Sequence, residues 1–270
     1  IFVPEIKRAE ISQVFPLMYI ALAIFAIAFI VILFTNIPEN ENVGKVKKDD
    51  SKIGPMSFRH FVLGAVAIFI YVGVEVGIPN VLQKWLQNGG LDVASGAEGI
   101  AATVAATYWL LMLVGRLTGA ALGARVSAKA MLSAVSIIGL GLVLGAIFLD
   151  PAISVNLPVF KGTEGFGMAE VPINAALLVL CGLCTSVMWG GIFNLAVEGL
   201  GRYTERASGI FMALVCGGGI LPLLQNAIVD LSDGDYLVSY WLIVAGLAYL
   251  LFYAVAGSKN VNKDIKVEVA

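Results

Sequence analysis

Residues 58–86 read FRHFVLGAVAIFIYVGVEVGIPNVLQKWL, a largely apolar stretch whose one acidic residue is Glu75. A helix needs about 20 consecutive apolar residues to cross the hydrocarbon core of a bilayer, and this stretch exceeds that length. The stretch therefore predicts a transmembrane helix that carries a carboxylate at depth.

Other long apolar stretches lie on both sides of it. The chain of 270 residues is 59% hydrophobic and 13% charged, whereas soluble domains are about 45–50% apolar and about 25% charged. Its net charge of −2 gives no basic excess that would favour a nucleic-acid partner. We predict an all-α membrane protein with seven spans. The six further spans are expected at 14–37, 99–124, 128–149, 172–198, 207–230 and 236–257.

A long polar stretch, PENENVGKVKKDDSKIGPMS at 38–57, separates the first span from the other six. We interpret it as a flexible cytoplasmic linker between two bundles. Residues 1–37 are then the last helix of an N-terminal bundle, 58–257 form a six-helix transporter bundle, and 258–270 form a cytoplasmic tail. The chain opens at Ile1 without the pattern of a signal peptide, so we expect it to be part of a longer protein.

Basic residues predict the orientation, because connections on the cytoplasmic side are enriched in lysine and arginine. If the spans alternate in direction, most of the 17 basic residues share the face that holds the C-terminus, which is therefore expected in the cytoplasm. The connection at 150–171 is expected to form a short cap on the opposite side. The basic residues on that opposite side are Lys7, Arg8, Lys84 and Lys161.

Within the span at 58–86, polar side chains share one helical face. Tyr71 and Glu75 are four residues apart, and Pro79 and Gln83 continue the same face. Pro79 also frees the carbonyl near position 75 from its helical hydrogen bond. This pattern predicts a discontinuous helix that lines a water-filled path. The alternative is that Glu75 is a structural residue paired with a neighbouring helix.

The span at 99–124 carries aromatic and basic side chains at unusual depth. Tyr108 and Trp109 lie away from the interfacial belt, so they either stack on a sugar ring or pack as ordinary aromatics. Arg116 lies one to two turns from the end of the span. It either extends to the interface or pairs with an acidic residue at a gate, and we favour the gate.

The later spans contain amides that must find hydrogen-bond partners. Trp189 precedes two glycines, and Asn194 follows them; Gln225 and Asn226 lie beyond Pro222. Each amide contacts either a polar ligand or another helix, and the sequence leaves both interpretations open.

Patterns typical of enzymes are not found. The sequence has one histidine and no nucleotide-binding loop, zinc motif or nucleophile–base pair, so we predict neither an enzyme nor a metal or cofactor site. Transport driven by an ion gradient is the expectation.

Three stretches together resemble the major facilitator superfamily, and within it the fucose–proton symporter family. They are YVGVE at 71–75, GRLTGAALGARVSAK at 115–129, and the run from Ser186 to Asp230, which includes IFNLAVEGLGRYTERASGIFMALVCGGGILPLLQ at 192–225. The resemblance covers roughly 14–257, as helices six to twelve of twelve.

This resemblance implies import of a monosaccharide such as fucose, glucose or galactose with protons across a bacterial inner membrane. The transport would proceed by alternating access together with the missing N-terminal bundle of the same protein. The competing interpretations are a facilitator for a drug or an organic anion and, less favoured, a membrane receptor or enzyme. By the match Tyr71, Glu75, Asn194 and Gln225 face the cavity. The full set of candidate substrate-binding residues is Tyr71, Glu75, Gln83, Tyr108, Trp109, Trp189, Asn194, Gln225 and Asn226, and the candidate gating residues are Arg116, Arg125 and Arg202.

Overall fold

A computed structural model of the chain describes residues 4–35, 54–91, 97–160 and 166–262. The chain divides into two compact units, Ile1–Ser51 and Lys52–Ala270. The predicted linker lies outside the described residues up to residue 53, and the predicted tail is described only as far as residue 262.

The described part of the first unit, residues 4–35, contains one helix, α1 (Pro4–Phe34). Its segment Met18–Phe34 is apolar, and every side chain from Met18 to Phe34 is exposed within this unit. The helix begins ten residues before the span predicted at 14–37, since polar residues near its start are also helical.

The second unit is a helical bundle. Six of its helical segments are long and apolar enough to cross a membrane, which confirms the six spans predicted between 58 and 257. The helices are α2 (Arg59–Trp85), α3 (Ala97–Gly123), α4 (Ala128–Phe148), α5 (Ile173–Thr185), α6 (Met188–Val197), α7 (Thr204–Leu214), α8 (Gly217–Leu231) and α9 (Tyr240–Phe252). Short π-helical turns follow α2 at Leu86–Gly90 and α9 at Tyr253–Gly257.

Two of the six spans are each built from two helices. The span at 173–197 breaks after Thr185, whose hydroxyl bonds back to the carbonyls of Cys181 and Gly182, and the Ser186 hydroxyl bonds to the Leu183 carbonyl. Such back-bonding hydroxyls compete with the helical ladder and bend helices. The span at 201–231 breaks between α7 and α8, just before the glycine run and Pro222.

Helix α2 lies at the centre of the bundle, where it contacts α3, α5, α6, α7, α8 and α9. It runs without interruption through Pro79, so the predicted discontinuity is wrong. The proline leaves the Glu75 carbonyl without its helical donor, and the Tyr108 hydroxyl donates to that carbonyl instead at 3.1 Å. Because the freed carbonyl is satisfied from α3, the helix can continue.

Glycines let α2 and α8 approach closely, as small residues do between membrane helices. A Cβ on Gly217 would overlap the backbone carbonyl of Phe69, and a Cβ on Gly73 would lie 2.5 Å from Leu221 Cβ. This contact fixes the position of α2 and therefore of Glu75.

A β-hairpin connects α4 to α5, formed by β1 (Ser154–Phe160) and β2 (Phe166–Pro172) in antiparallel register. Its inner face is apolar, with Val159, Ala169 and Val171 buried, and β1 contacts α3 and α5. The hairpin occupies the place of the predicted short cap, and the alternation of apolar and polar residues in SVNLPVF is typical of a strand.

A candidate solute site around Glu75 and Arg116

The ion pair between Glu75 on α2 and Arg116 on α3 is the centre of the candidate site. Arg116 Nη2 lies 3.0 Å from Glu75 Oε1, and no other salt bridge occurs between residues that the structure describes. The glutamate side chain is 11% exposed and the arginine side chain 53%. A buried carboxylate needs a compensating charge, and Arg116 supplies it from the more open side. The prediction that Arg116 pairs with an acidic residue is confirmed.

Tyrosine hydroxyls complete the surroundings of Glu75. The Tyr71 hydroxyl donates to Glu75 Oε1 at 2.7 Å and lies 3.1 Å from the Thr185 carbonyl oxygen. The Tyr108 hydroxyl lies 3.0 Å from Thr185 Oγ1 and donates to the Glu75 carbonyl. These hydrogen bonds join α2, α3 and the end of α5 into one network.

Tyr108 is therefore not an open stacking surface. Its side chain is fully buried, and its hydroxyl is used by the network, so the suggestion that it stacks on a sugar ring is not supported. Trp109 follows it on α3, is 41% exposed, and meets the Tyr108 ring at right angles with centroids 5.4 Å apart.

A cavity of about 320 Å³ lies beside the ion pair, between α3, the start of α4, the α5–α6 break and α6. Solute pockets typically begin at about 300 Å³ and place a few polar groups in a largely apolar wall. The polar side chains here are Arg116, Ser186 and Asn194. The other lining residues are Gly119, Ala120, Gly123, Val126, Ala128, Met131, Val187, Gly190 and Gly191.

Asn194 and Arg116 are the groups that a solute in this cavity would meet. The Asn194 side chain is exposed and makes no hydrogen bond within the described part of the chain, so its amide is available to a ligand. The Ser186 hydroxyl is already donated to the Leu183 carbonyl at 2.6 Å. Arg116 lines the cavity and also holds Glu75, so it connects a bound solute to the buried carboxylate.

Trp189 lies near the start of α6, just after the break between α5 and α6. Its ring is half-buried and meets the Tyr71 ring edge-on, with centroids 6.2 Å apart. The tryptophan thereby packs α6 against the face of α2 that carries Glu75.

Gln225 is not brought together with Glu75. It is fully buried between α8, α2 and the start of α9, and its Nε2 donates to Ser239 Oγ at 3.3 Å. A Cβ on Gly77 would lie 2.6 Å from Gln225 Oε1. The expectation that Gln225 faces the cavity is therefore wrong for this structure, because the amide is used between helices.

A second polar cluster, formed by Asn80, Lys84 and Asn226, lies farther along α2 and α8. Lys84 Nζ donates to Asn226 Oδ1 at 2.8 Å, and Asn226 Nδ2 lies 3.4 Å from Asn80 Oδ1 and donates to the Pro222 carbonyl at 2.6 Å. The half-buried Gln83 makes no side-chain hydrogen bond to described residues. Asn80 and Lys84 were not among the predicted site residues, although their four-residue spacing places them on one face of α2.

The other two arginines lie in connections. Arg125 is exposed in the turn between α3 and α4. The Arg202 guanidinium lies 5.0 Å from the centroid of the Tyr203 ring, and its Nη2 donates to the Tyr203 hydroxyl at 2.9 Å. Gating by Arg116, Arg125 and Arg202 stays a prediction.

Thr185 was also not among the predicted site residues. Its signal was the Thr-Ser pair at 185–186 inside an apolar span, where hydroxyls bend a helix.

Among the described residues, no group of three or more histidine, cysteine, aspartate or glutamate side chains could hold a metal ion.

Comparison with solved structures defines the fold. The chain superimposes on the major facilitator transporter FucP in its outward conformation with a TM-score of 0.68 and 21% identity, over 96% of this chain and 59% of that chain. A variant of the Escherichia coli fucose:proton symporter FucP gives a TM-score of 0.71 at 21% identity, over 96% of this chain and 60% of that chain. The chain has the fold of major facilitator superfamily transporters.

No family model matches the sequence. The relatives found by sequence comparison are sugar transporters. The glucose/galactose transporter of Brucella abortus is 31% identical over 256 residues, covering 94% of this chain and 56% of the relative. The putative glucose/galactose transporter of Helicobacter pylori is 28% identical, covering 90% and 54%. The L-fucose-proton symporter of Escherichia coli is 22% identical, covering 78% and 44%. The chain thus spans about half the length of these relatives, and the resemblance to the fucose–proton symporter family is confirmed.

Proposed function

We propose that the complete protein imports a monosaccharide of the glucose, galactose or fucose type together with protons, by alternating access, across a bacterial inner membrane. The observation that carries the proposal is the Glu75–Arg116 ion pair at the edge of a cavity whose other polar side chains, Ser186 and Asn194, are uncharged. The relatives named as glucose/galactose transporters and as an L-fucose-proton symporter support the solute class.

The electrostatics of the cavity favour a neutral solute. The charge of Arg116 is compensated by Glu75, and the other polar lining side chains, Ser186 and Asn194, are uncharged. An amide supplies both donors and an acceptor, which match sugar hydroxyls, whereas a charged solute would need an uncompensated opposite charge.

The same ion pair offers a way to couple the proton to the solute. A guanidinium carries five N–H donors, and at least one of those on Arg116 is used by Glu75. When Glu75 takes up a proton, its attraction for Arg116 falls and those donors become available to sugar hydroxyls in the cavity. Proton uptake and sugar binding would then favour each other.

The organisation of the complete protein is part of this proposal. Residues 1–37 would supply the last helix of an N-terminal bundle, 38–57 a linker, 58–257 the second bundle, and 258–270 a cytoplasmic tail. The breaks between α5 and α6 and between α7 and α8 are the points where helices of the second bundle would bend during alternating access.

The direct test is uptake of labelled glucose, galactose and fucose into inverted and right-side-out vesicles that contain the complete protein. We expect accumulation above the external concentration when an inward proton gradient is imposed, and collapse of that accumulation with a protonophore. Failure of every sugar to accumulate under the gradient would sink the proposal.

An organic anion is the second candidate solute, and Lys84 is the observation that favours it. This exposed lysine has an amide rather than a carboxylate as its partner, so its charge is not neutralised by a described neighbour. Accumulation of a labelled organic anion without any sugar accumulation in the same vesicles would establish this alternative.

A further inference from the structure

The Tyr71 hydroxyl lies between two acceptors on different helices. Glu75 Oε1 is 2.7 Å away on the same helix, and the Thr185 carbonyl oxygen is 3.1 Å away at the last residue of α5. A phenol hydroxyl has a single hydrogen, so it donates fully to only one of them at a time. The final carbonyls of a helix lack partners within that helix, which makes the Thr185 carbonyl a receptive alternative.

The charge of Glu75 decides between the two acceptors. An ionised carboxylate forms shorter and stronger hydrogen bonds than a carbonyl, so Tyr71 donates to Glu75 as long as Glu75 is ionised. The Thr185 carbonyl then receives no hydrogen from Tyr71.

Proton uptake reverses the preference. A proton from water forms an O–H bond on the Glu75 carboxylate, and the negative charge that held both Arg116 and the Tyr71 hydrogen disappears. The protonated carboxyl becomes a donor to the Tyr71 oxygen, and the Tyr71 hydrogen turns to the Thr185 carbonyl. No proton leaves Tyr71, because only the direction of its O–H bond changes.

We propose that Tyr71 is a positioning residue that transmits the protonation state of Glu75 to the break between α5 and α6. This inference rests on the proposed proton-coupled transport. Beyond the break, α6 carries Asn194, which lines the cavity, and Trp189, whose ring packs on Tyr71. With Glu75 protonated, Tyr71 holds the end of α5 to α2; with Glu75 ionised, that hydrogen bond is released and α6 is freer to move.

The groups that face Glu75 support this assignment. Its charged partner is Arg116, which stays protonated in both states, and the titratable hydroxyl on its own helix is Tyr71. Tyr108 on α3 donates to the Glu75 backbone carbonyl and so does not respond directly to the carboxylate. From α5 the facing group is the uncharged Thr185, and no described side chain of α6, α8 or α9 brings a charge to Glu75.

The first test is Tyr71→Phe in the complete protein, which removes the hydroxyl but keeps the ring against Trp189. We compare proton-driven accumulation with sugar counterflow, which needs no gradient, and expect the larger loss in accumulation. Proton-driven accumulation should fall roughly tenfold, the equivalent of one hydrogen bond, and the pH profile of sugar affinity should flatten.

Tyr240→Phe is the matched control. Tyr240 is equally buried and its hydroxyl donates to an α2 carbonyl, that of Ile78, at 3.0 Å, but it does not touch Glu75. We expect this variant to keep the wild-type pH profile. An unchanged profile in Tyr71→Phe, or equal flattening in both variants, would overturn the inference.

A second measurement needs no substitution at Tyr71. Amide hydrogen exchange of the unmodified complete protein gives protection factors for α6, which correct for the faster intrinsic exchange of every amide at higher pH. These factors should be lower at a pH where Glu75 is ionised than where it is protonated, and Glu75→Gln, whose amide donates like the protonated acid, should keep α6 protected at both. Protection factors in α6 that do not change with pH would contradict the role of Tyr71. Absence of sugar uptake together with pH-dependent protection would instead reject the proposed function and leave this inference standing.

Discussion

The Tyr108 hydroxyl on α3 donates to the Glu75 carbonyl on α2 at 3.1 Å. It replaces the backbone amide that would donate to this carbonyl in a helix without proline. The residue that lacks this amide hydrogen is Pro79, four positions further along α2. The depth at which Glu75 is held therefore depends on a side chain 33 residues away in the sequence.

Removing this hydroxyl should destabilise the bundle. In Tyr108→Phe the Glu75 carbonyl is buried without a donor, so we expect a loss of about 1–3 kcal/mol in the free energy of unfolding, measured by thermal or denaturant unfolding in detergent. In a Pro79→Ala background the new amide of residue 79 can donate to that carbonyl, so the same substitution should cost less. Equal costs in the two backgrounds would show that the hydroxyl does not replace the helical donor.

Substituting Arg116 alone should destabilise the protein more than substituting both members of the ion pair. Arg116→Gln leaves the Glu75 carboxylate buried without its cation, so proton-driven uptake should be lost and unfolding made easier by about 1–3 kcal/mol, given that Arg116 is half exposed. The double variant Glu75→Gln with Arg116→Gln should regain most of the stability but not the proton dependence. A double variant as unstable as Arg116→Gln alone would argue against the ion pair as the cause.

Asn194 and Gln225 should behave differently although both are amides in membrane helices. Asn194→Ala should raise the KM for sugar by about tenfold with little effect on unfolding, because its amide faces the cavity. Gln225→Ala should reduce the free energy of unfolding and leave the KM nearly unchanged, because its amide bonds Ser239 between helices. A large KM effect of Gln225→Ala would restore it to the solute site.

The close contact between α2 and α8 should tolerate no added methyl group. Gly217→Ala places its Cβ into the Phe69 carbonyl, so we expect about 1–3 kcal/mol of destabilisation and reduced yield of folded protein. Gly219→Ala is the control on the same helix, since nothing lies within 4 Å of the Cβ that it adds. Similar yields and melting temperatures for the two variants would contradict the packing described for α2 and α8.

Some of the site was predictable from the sequence because the spacing of residues on one helix is a local property. Tyr71 and Glu75 were expected to share a face, and they are hydrogen-bonded at 2.7 Å. The effect of Pro79 on the carbonyl near position 75 was also expected. That the helix continues through Pro79 was not predictable, because the compensating donor comes from Tyr108 on another helix.

Hydropathy was sufficient to locate the six membrane spans between 58 and 257 and to single out Glu75, because lipid acts as a solvent on each segment separately. The pairing of the Glu75 carboxylate with Arg116 depends on how each helix is rotated against its neighbours. The same rotation places Asn194 at the cavity and Gln225 between helices. Rotation is set by the packing of side chains from distant parts of the chain, such as Gly217 against Phe69, and emerges only when all the helices are assembled.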